Sequence, residues 1–358
     1  MRCYPVPLTD LVSSLSQRGW VFQERLLSRR VLHLGGSQLL WECNELTASE
    51  THPNGLPKMI RGGRSELLRR IEELKVPVST PEQSLQREQK KMKLWSDIIG
   101  KYSQKKLTNK WDKLPAITGV VKHLRTAFRD ECVAGLWRKE LHRYLAWHST
   151  EFRDSTLEAR GIPYRAPTWP WVSTDNVVSI YDAGENGPTP LLRIHGIEPR
   201  ESGACLGSVN SAEPELAGSP DFNLCLNAQG PLNKLDVWHP GAPFSGILYA
   251  HGGEDSIGWS AVWDEPIARF TRADTHRAML YTVPLYRYPV RGWPVYNIRY
   301  LLLFPVEDAP GYYYRVGIAK CQEVEGWTSE RFLTVSNGHD APCEEFLGED
   351  EGHRFKII

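Results

Sequence analysis

The stretch Arg18-Gly19-Trp20-Val21-Phe22-Gln23-Glu24-Arg25-Leu26-Leu27-Ser28 decides how this chain is read. Upstream of it Leu8, Leu11, Val12 and Leu15 fall at helical spacing, so residues 8–28 read as helical, with Gly19 as a break and Trp20 to Leu27 as a second helix. Trp20 and Glu24 are four residues apart, about one turn, and so share a face. Downstream, residues 30–34 (RVLHL) and 38–43 (QLLWEC) read as two short strands, with Gly35-Gly36-Ser37 as the hairpin turn between them. Residues 51–57 (THPNGLP) form a turn-rich loop.

Four further helices follow in this reading. Residues 64–75 place Leu67, Leu68, Ile71 and Leu74 on one side. A proline-bearing linker then leads to a helix from Gln83 to Tyr102, polar in its first half. Residues 112–128 make the next helix, with Asp112 as its cap and Pro115 in its first turn. Residues 132–147 make the last, with an apolar face of Leu136, Trp137, Leu141, Tyr144 and Leu145.

Past residue 160 the helical period fades and β-rich runs take over, at 177–182, 191–197, 244–250, 277–286, 297–306 and 312–321. Residues 198–222 and 251–275 read as long loops. The expected architecture is α+β, a helical half followed by a mainly antiparallel β-rich half, with regions 1–57, 58–150 and 151–358. No fixed period marks a solenoid or propeller.

Composition narrows the function classes. Lys and Arg number 43 against 43 Asp and Glu, so net charge gives no argument for nucleic acid or an anionic surface. Residues 61–93 are locally basic and 340–351 locally acidic, which reads as two solvated surface segments. The seven scattered cysteines have no CxxC spacing, which speaks against a disulfide framework or a zinc ribbon and for a reducing, cytoplasmic setting. There is no signal-peptide pattern and no apolar run long enough to span a membrane. The thirteen tryptophans read as core.

The opening run, with Leu40-Trp41-Glu42-Cys43 and Ala48-Ser49-Glu50, resembles the C-terminal half of the fungal heterokaryon-incompatibility (HET) domain. The resemblance continues through Asp112-Lys113-Leu114-Pro115-Ala116-Ile117, Ala134-Gly135-Leu136-Trp137-Arg138, Ala166-Pro167-Thr168-Trp169-Pro170-Trp171 and Tyr314-Arg315-Val316-Gly317. It implies a part in non-self recognition and programmed cell death. It also implies a truncated TIR/flavodoxin-like α/β remnant at residues 1–57, because only 17 residues precede Arg18 and the Leu-Ser-Tyr-x-Trp-Gly and Trp-Ile-Asp-x-Leu-Cys-Ile-x-Gln motifs of that family are not in the sequence.

The same resemblance singles out Arg18, Gly19, Trp20, Gln23, Trp41, Glu42 and Cys43 as motif residues and Glu24 as the catalytic candidate. Some TIR domains hydrolyse NAD with a glutamate four residues after a tryptophan, and Trp20 and Glu24 have that spacing. A carboxylate so placed would stabilise the oxocarbenium-like charge on the ribose as nicotinamide leaves. Read as residues alone, Glu24 is a helix-surface or ion-paired glutamate, Glu42 a salt-bridge residue, Trp20 and Trp41 core packing, and Arg18 a side chain for a carboxylate or phosphate. His33 reads as a core histidine, Cys43 lacks a partner that would make it a nucleophile, and His251-Gly252-Gly253-Glu254-Asp255 reads as a loop rather than a metal site. No metal or cofactor is expected, NAD being a substrate in the enzyme reading only. Three functions remain open on this reading: protein–protein association, including self-association; NAD hydrolysis by Glu24; and an inactive remnant.

Overall fold

A computed structural model describes residues 14–35, 38–57, 64–151, 166–181, 187–199, 224–238, 245–250, 257–264, 277–290, 292–293, 295–322, 341–348 and 351–358. The class is α+β. The chain forms two compact units that divide between Cys132 and Val133, where the regions expected from sequence divide at 57 and 150.

The first unit begins with a 3-10 turn, Ser14–Gln17, and helix α1, Gly19–Leu27. Strands β1 (Arg30–Leu34), β2 (Leu39–Cys43) and β3 (Thr47–Ser49) follow as one antiparallel sheet in the order β1-β2-β3. The two expected strands pair antiparallel as β1 and β2, in the register Leu32↔Trp41 and Leu34↔Leu39, and Gly36 and Ser37 of the expected turn lie outside the described residues. Helices α2 (Arg64–Lys75), α3 (Pro81–Ser103) and α4 (Thr118–Phe128) complete the unit. Thr80 and Gln83 close a reciprocal capping box ahead of α3, and Pro81 occupies the first turn where no N–H is needed. The far end of α3 buries Leu94, Trp95, Ile98, Ile99 and Tyr102, α2 buries Leu67, Ile71 and Leu74, and α4 buries Val120, Leu124 and Phe128.

Two expected helices come out differently. Residues 110–113 and 115–117 are 3-10 turns, and α4 starts only at Thr118. Asp112 is not its cap: Asn109 accepts from Trp111 N–H at 3.1 Å, and Asp112 is engaged by Trp20. The continuous helix over 132–147 is overturned. Its place is taken by a short hairpin of β4 (Cys132–Val133) and β5 (Leu136–Trp137), a single turn α5 (Leu141–Tyr144) and β6 (Trp147–Glu151). Ala134 and Gly135 both take positive φ (54° and 82°), the backbone of a two-residue hairpin turn that no helix contains. Trp171 Nε1 donates to Gly135 O at 2.9 Å and lies 2.8 Å from where a β-carbon would be, so the site favours glycine.

The remaining strands are β7 (Val177–Ile180), β8 (Thr189–Pro190), β9 (Arg193–Pro199), β10 (Leu224–Gly230), β11 (Asn233–Trp238) and β12 (Ser245–Ala250). After them come β13 (Ile257–Trp263), β14 (Arg277–Pro289), β15 (Tyr296–Pro305), β16 (Tyr312–Gln322), β17 (Glu345–Phe346) and β18 (His353–Ile357). The six β-rich runs read from sequence all contain strands. Strand β13 lies within the expected loop 251–275. The 198–222 loop (beyond Pro199), residues 8–13 and His251–Asp255 lie outside the described residues.

Strands β13-β12-β11-β14-β15-β16 are paired in that order, and β13 also pairs with β16, so six antiparallel strands close into a ring. Leu235, Trp263, Leu280, Ile298, Tyr300, Leu302, Val316 and Cys321 pack together from five of them, so the ring is filled by side chains. Gly317 allows the closure, since a β-carbon there would lie 2.7 Å from Val262 O. Beyond the ring, β16 pairs in parallel with β18, and the sheet continues through β10 to the edge strand β9.

Beside the ring, Arg315 is fully buried. Its Nε donates to Asp264 at 2.9 Å, its Nη atoms donate to Leu145 O and Trp147 O at 2.7 and 2.5 Å, and its plane lies 3.7 Å from the Trp147 ring. One side chain thus meets a buried charge, two carbonyls and an aromatic face, the satisfaction that a buried guanidinium requires.

Candidate functional site

Several motif residues lie on or beside α1 and tie it to other segments of the first unit. Gly19 is buried, its N–H donates to Lys106 O at 2.8 Å, and a β-carbon there would overlap Leu107. Arg18 is exposed and bridges Lys106 through its backbone. Trp20 Nε1 donates to Asp112 Oδ2 at 2.9 Å. Gln23 Oε1 accepts from Gly119 N–H at 3.0 Å and so caps the second residue of α4 from another helix. Arg25 reaches β2.

On β2, Glu42 is 3% exposed and accepts from Arg25 Nε at 2.8 Å and Nη2 at 2.6 Å, a two-pronged ion pair. His33 Nε2 lies 2.9 Å from the same carboxylate. Burial pushes the Glu42 carboxyl up, but hydrogen bonds from His33 and Arg25, reinforced by their charges, hold it at about 2. Arg64, 4% exposed at the start of α2, donates from Nε to Arg25 O at 2.8 Å and from Nη2 to Ser28 O, capping the last carbonyls of α1. Burial lowers its pKa, with the Glu42 charge opposing. Arg64 was not singled out from sequence, where it reads as one cation in a basic run; only its place at the start of a helix marks it.

Strand alternation separates these groups. Glu42 and Leu40 turn to the buried face of β2, Trp41 and Cys43 to the other. Cys43 Sγ accepts from Leu46 N–H at 3.3 Å, and hydrogen bonds from the Glu45 and Leu46 backbone hold its thiol below the usual range. The two half-exposed residues Trp41 and Cys43 therefore belong to a different surface from the Arg25–Glu42–His33 cluster.

Glu24 stands on the exposed side of α1, and its backbone carbonyl accepts from Ser28 N–H at 3.0 Å and Ser28 Oγ at 2.6 Å. Trp20, one turn earlier, is 37% exposed. A carboxylate in water cannot concentrate its field on a developing cation as a desolvated one does. The cluster on the inner side is chemically complete: three donors satisfy Glu42, which makes it a joint and not a poised acid or base.

The outer face of β1 and β2 is different. Leu32, Leu34 and Leu39 are 55%, 73% and 39% exposed, and the register places all three with Trp41 on one side of the sheet. Strand β1 is hydrogen-bonded to β2 on one side only among the described residues. Among those residues no group of His, Cys, Asp and Glu is arranged to hold a metal ion, and no helix is long and apolar enough to cross a membrane.

No family model, curated protein or solved structure matches this chain.

Proposed function

We propose that the chain acts by association with a second copy of itself, in the non-self recognition and cell-death role that its resemblance to HET proteins implies. The face of Leu32, Leu34, Leu39 and half-exposed Trp41, uncovered among the described residues and beside the edge of β1 that none of them pairs, carries this reading. An antiparallel edge strand can pair with its own copy about a two-fold axis, and the two apolar faces then become continuous. With the axis at Leu32, Arg30 of one copy meets Leu34 of the other, so no like charges are opposed. Glu24 takes no part.

Sedimentation analysis of the full chain tests this. Wild type at about 50 µM, well above a micromolar Kd, sediments at twice the 40.8 kDa chain mass. Leu34→Lys, at an exposed position, sediments as a monomer with an unchanged melting temperature. Overexpression in a fungal host arrests growth for wild type and not for Leu34→Lys. A monomeric wild type would sink the proposal.

A further inference from the structure

The second unit holds a cavity of about 270 Å³ that none of the motif residues lines. Arg138, Lys139 and His142 border it from β5 to α5, and His195 and Gly196 border it from β9, the edge strand of the sheet. Leu141 and Leu192 supply apolar wall. The volume is just under the usual range for small-molecule sites, about 300 Å³ upward, and so suits a small metabolite.

His195 reaches the cavity through an irregularity. Gly196 pairs with Asn227 and Ile194 with Ala228, which leaves His195 as the extra residue of a β-bulge. Bulges re-aim a side chain and recur beside binding sites. The imidazole is then locked: Gln229, buried, gives its amide N–H to Glu351 O at 3.1 Å and presents Oε1 to His195 Nε2 at 2.7 Å. Nε2 must therefore donate, and Nδ1 is left for another partner.

His142 supplies another group. Among the described residues its buried Nε2 has no hydrogen-bond partner, and a Glu140 carboxylate oxygen is 3.6 Å away. Burial, and then the Arg143 charge, hold its imidazole down to about 4. An anion in the cavity would reverse that balance. Gly196 adds room, since a β-carbon built on it meets nothing within 4 Å.

We propose that this cavity binds the phosphate group of a small phosphomonoester, with Arg138, Lys139 and His142 as the donors and His195 Nδ1 accepting from a hydroxyl of the ester's organic part. Three donor-bearing side chains match the several terminal oxygens of a phosphate better than the two of a carboxylate. The β5–α5 residues and the bulged edge strand are brought to one place for which the first unit's joint has no use.

Titration calorimetry on the full chain, at fixed low salt, tests the site with ribose 5-phosphate, ribose, inorganic phosphate and acetate. Ribose 5-phosphate binds with a Kd below about 1 mM, inorganic phosphate more weakly, and ribose and acetate give no heat. Arg138→Gln/Lys139→Gln, both exposed, and Gly196→Leu, which fills open space, each weaken ribose 5-phosphate at least ~10-fold with the melting temperature retained. No binding by wild type at about 10 mM, full binding by both variants, or acetate as tight as phosphate would each overturn the assignment.

Discussion

Arg25 and Glu42 meet as a two-pronged pair at 2.8 and 2.6 Å, joining the first motif run of the sequence to the second. The pair is asymmetric: the Glu42 side chain is almost wholly buried and that of Arg25 is 30% exposed. The carboxylate is therefore the vulnerable member, because the guanidinium can turn to water and the carboxylate cannot.

Acid should release this joint. The folded Glu42 carboxyl titrates near 2, below its unfolded value, so its contribution is complete above the unfolded pKa and is lost as pH falls from there through 2. Glu42→Gln should cost about 3 kcal/mol at neutral pH. Urea unfolding at pH 7 and pH 2.5 checks both: the wild-type midpoint falls with acid, and the variant's falls less.

Gln23 should behave as a helix cap supplied from outside the helix. Gln23→Ala leaves Gly119 N–H without its acceptor and should cost about 1 kcal/mol. Gln23→Glu keeps an acceptor oxygen and adds negative charge at the α4 N-terminus, so it should match or exceed wild type. Denaturation midpoints of the two variants, moving in different directions, make the comparison.

Glu24→Ala should be silent. The side chain is exposed, so unfolding free energy should change by less than about 0.5 kcal/mol. Chromatography of NAD incubated with wild type should show no nicotinamide above the blank. Release that Glu24→Ala abolishes would restore the enzyme reading.

Asp264→Asn should be severe. It strips the counter-charge from a guanidinium with no solvent exposure, for which losses of about 3–5 kcal/mol are typical. In a unit of this size that is a fall of roughly 10 °C, seen in a fluorescence-monitored melt. A fall of only a degree or two would mean that Leu145 O, Trp147 O and the Trp147 ring suffice alone.

Period and turn chemistry made much of the fold legible. The β1–β2 pair, α2, α3 and six strands of the second unit follow from apolar spacing. The region 132–147 did not, because Leu136, Trp137, Leu141, Tyr144 and Leu145 keep a helical spacing while Ala134-Gly135 imposes a turn. A periodic pattern yields to a backbone that must reverse. Ring closure was hidden for another reason: the β13–β16 pairing joins residues more than fifty apart, and no local signal records it. Of the motif residues, Glu42 stands in the ion pair its residue reading expected. The cavity around His142 and His195 had no sequence signal, since a bulge is visible only once both strands are aligned.

The parallel pairing of β16 with β18 also sets an order in time. Strand β18 is needed by both β16 and β10, and it comprises residues 353 to 357. The described elements of the first unit are all synthesised by residue 132, so they can settle while the ribosome is still at work. The second must wait for its last strand. Until then the edges of β10 and β16 that β18 covers stand open, and a chaperone that shields those two edges would find them in the nascent chain and not once β18 has docked.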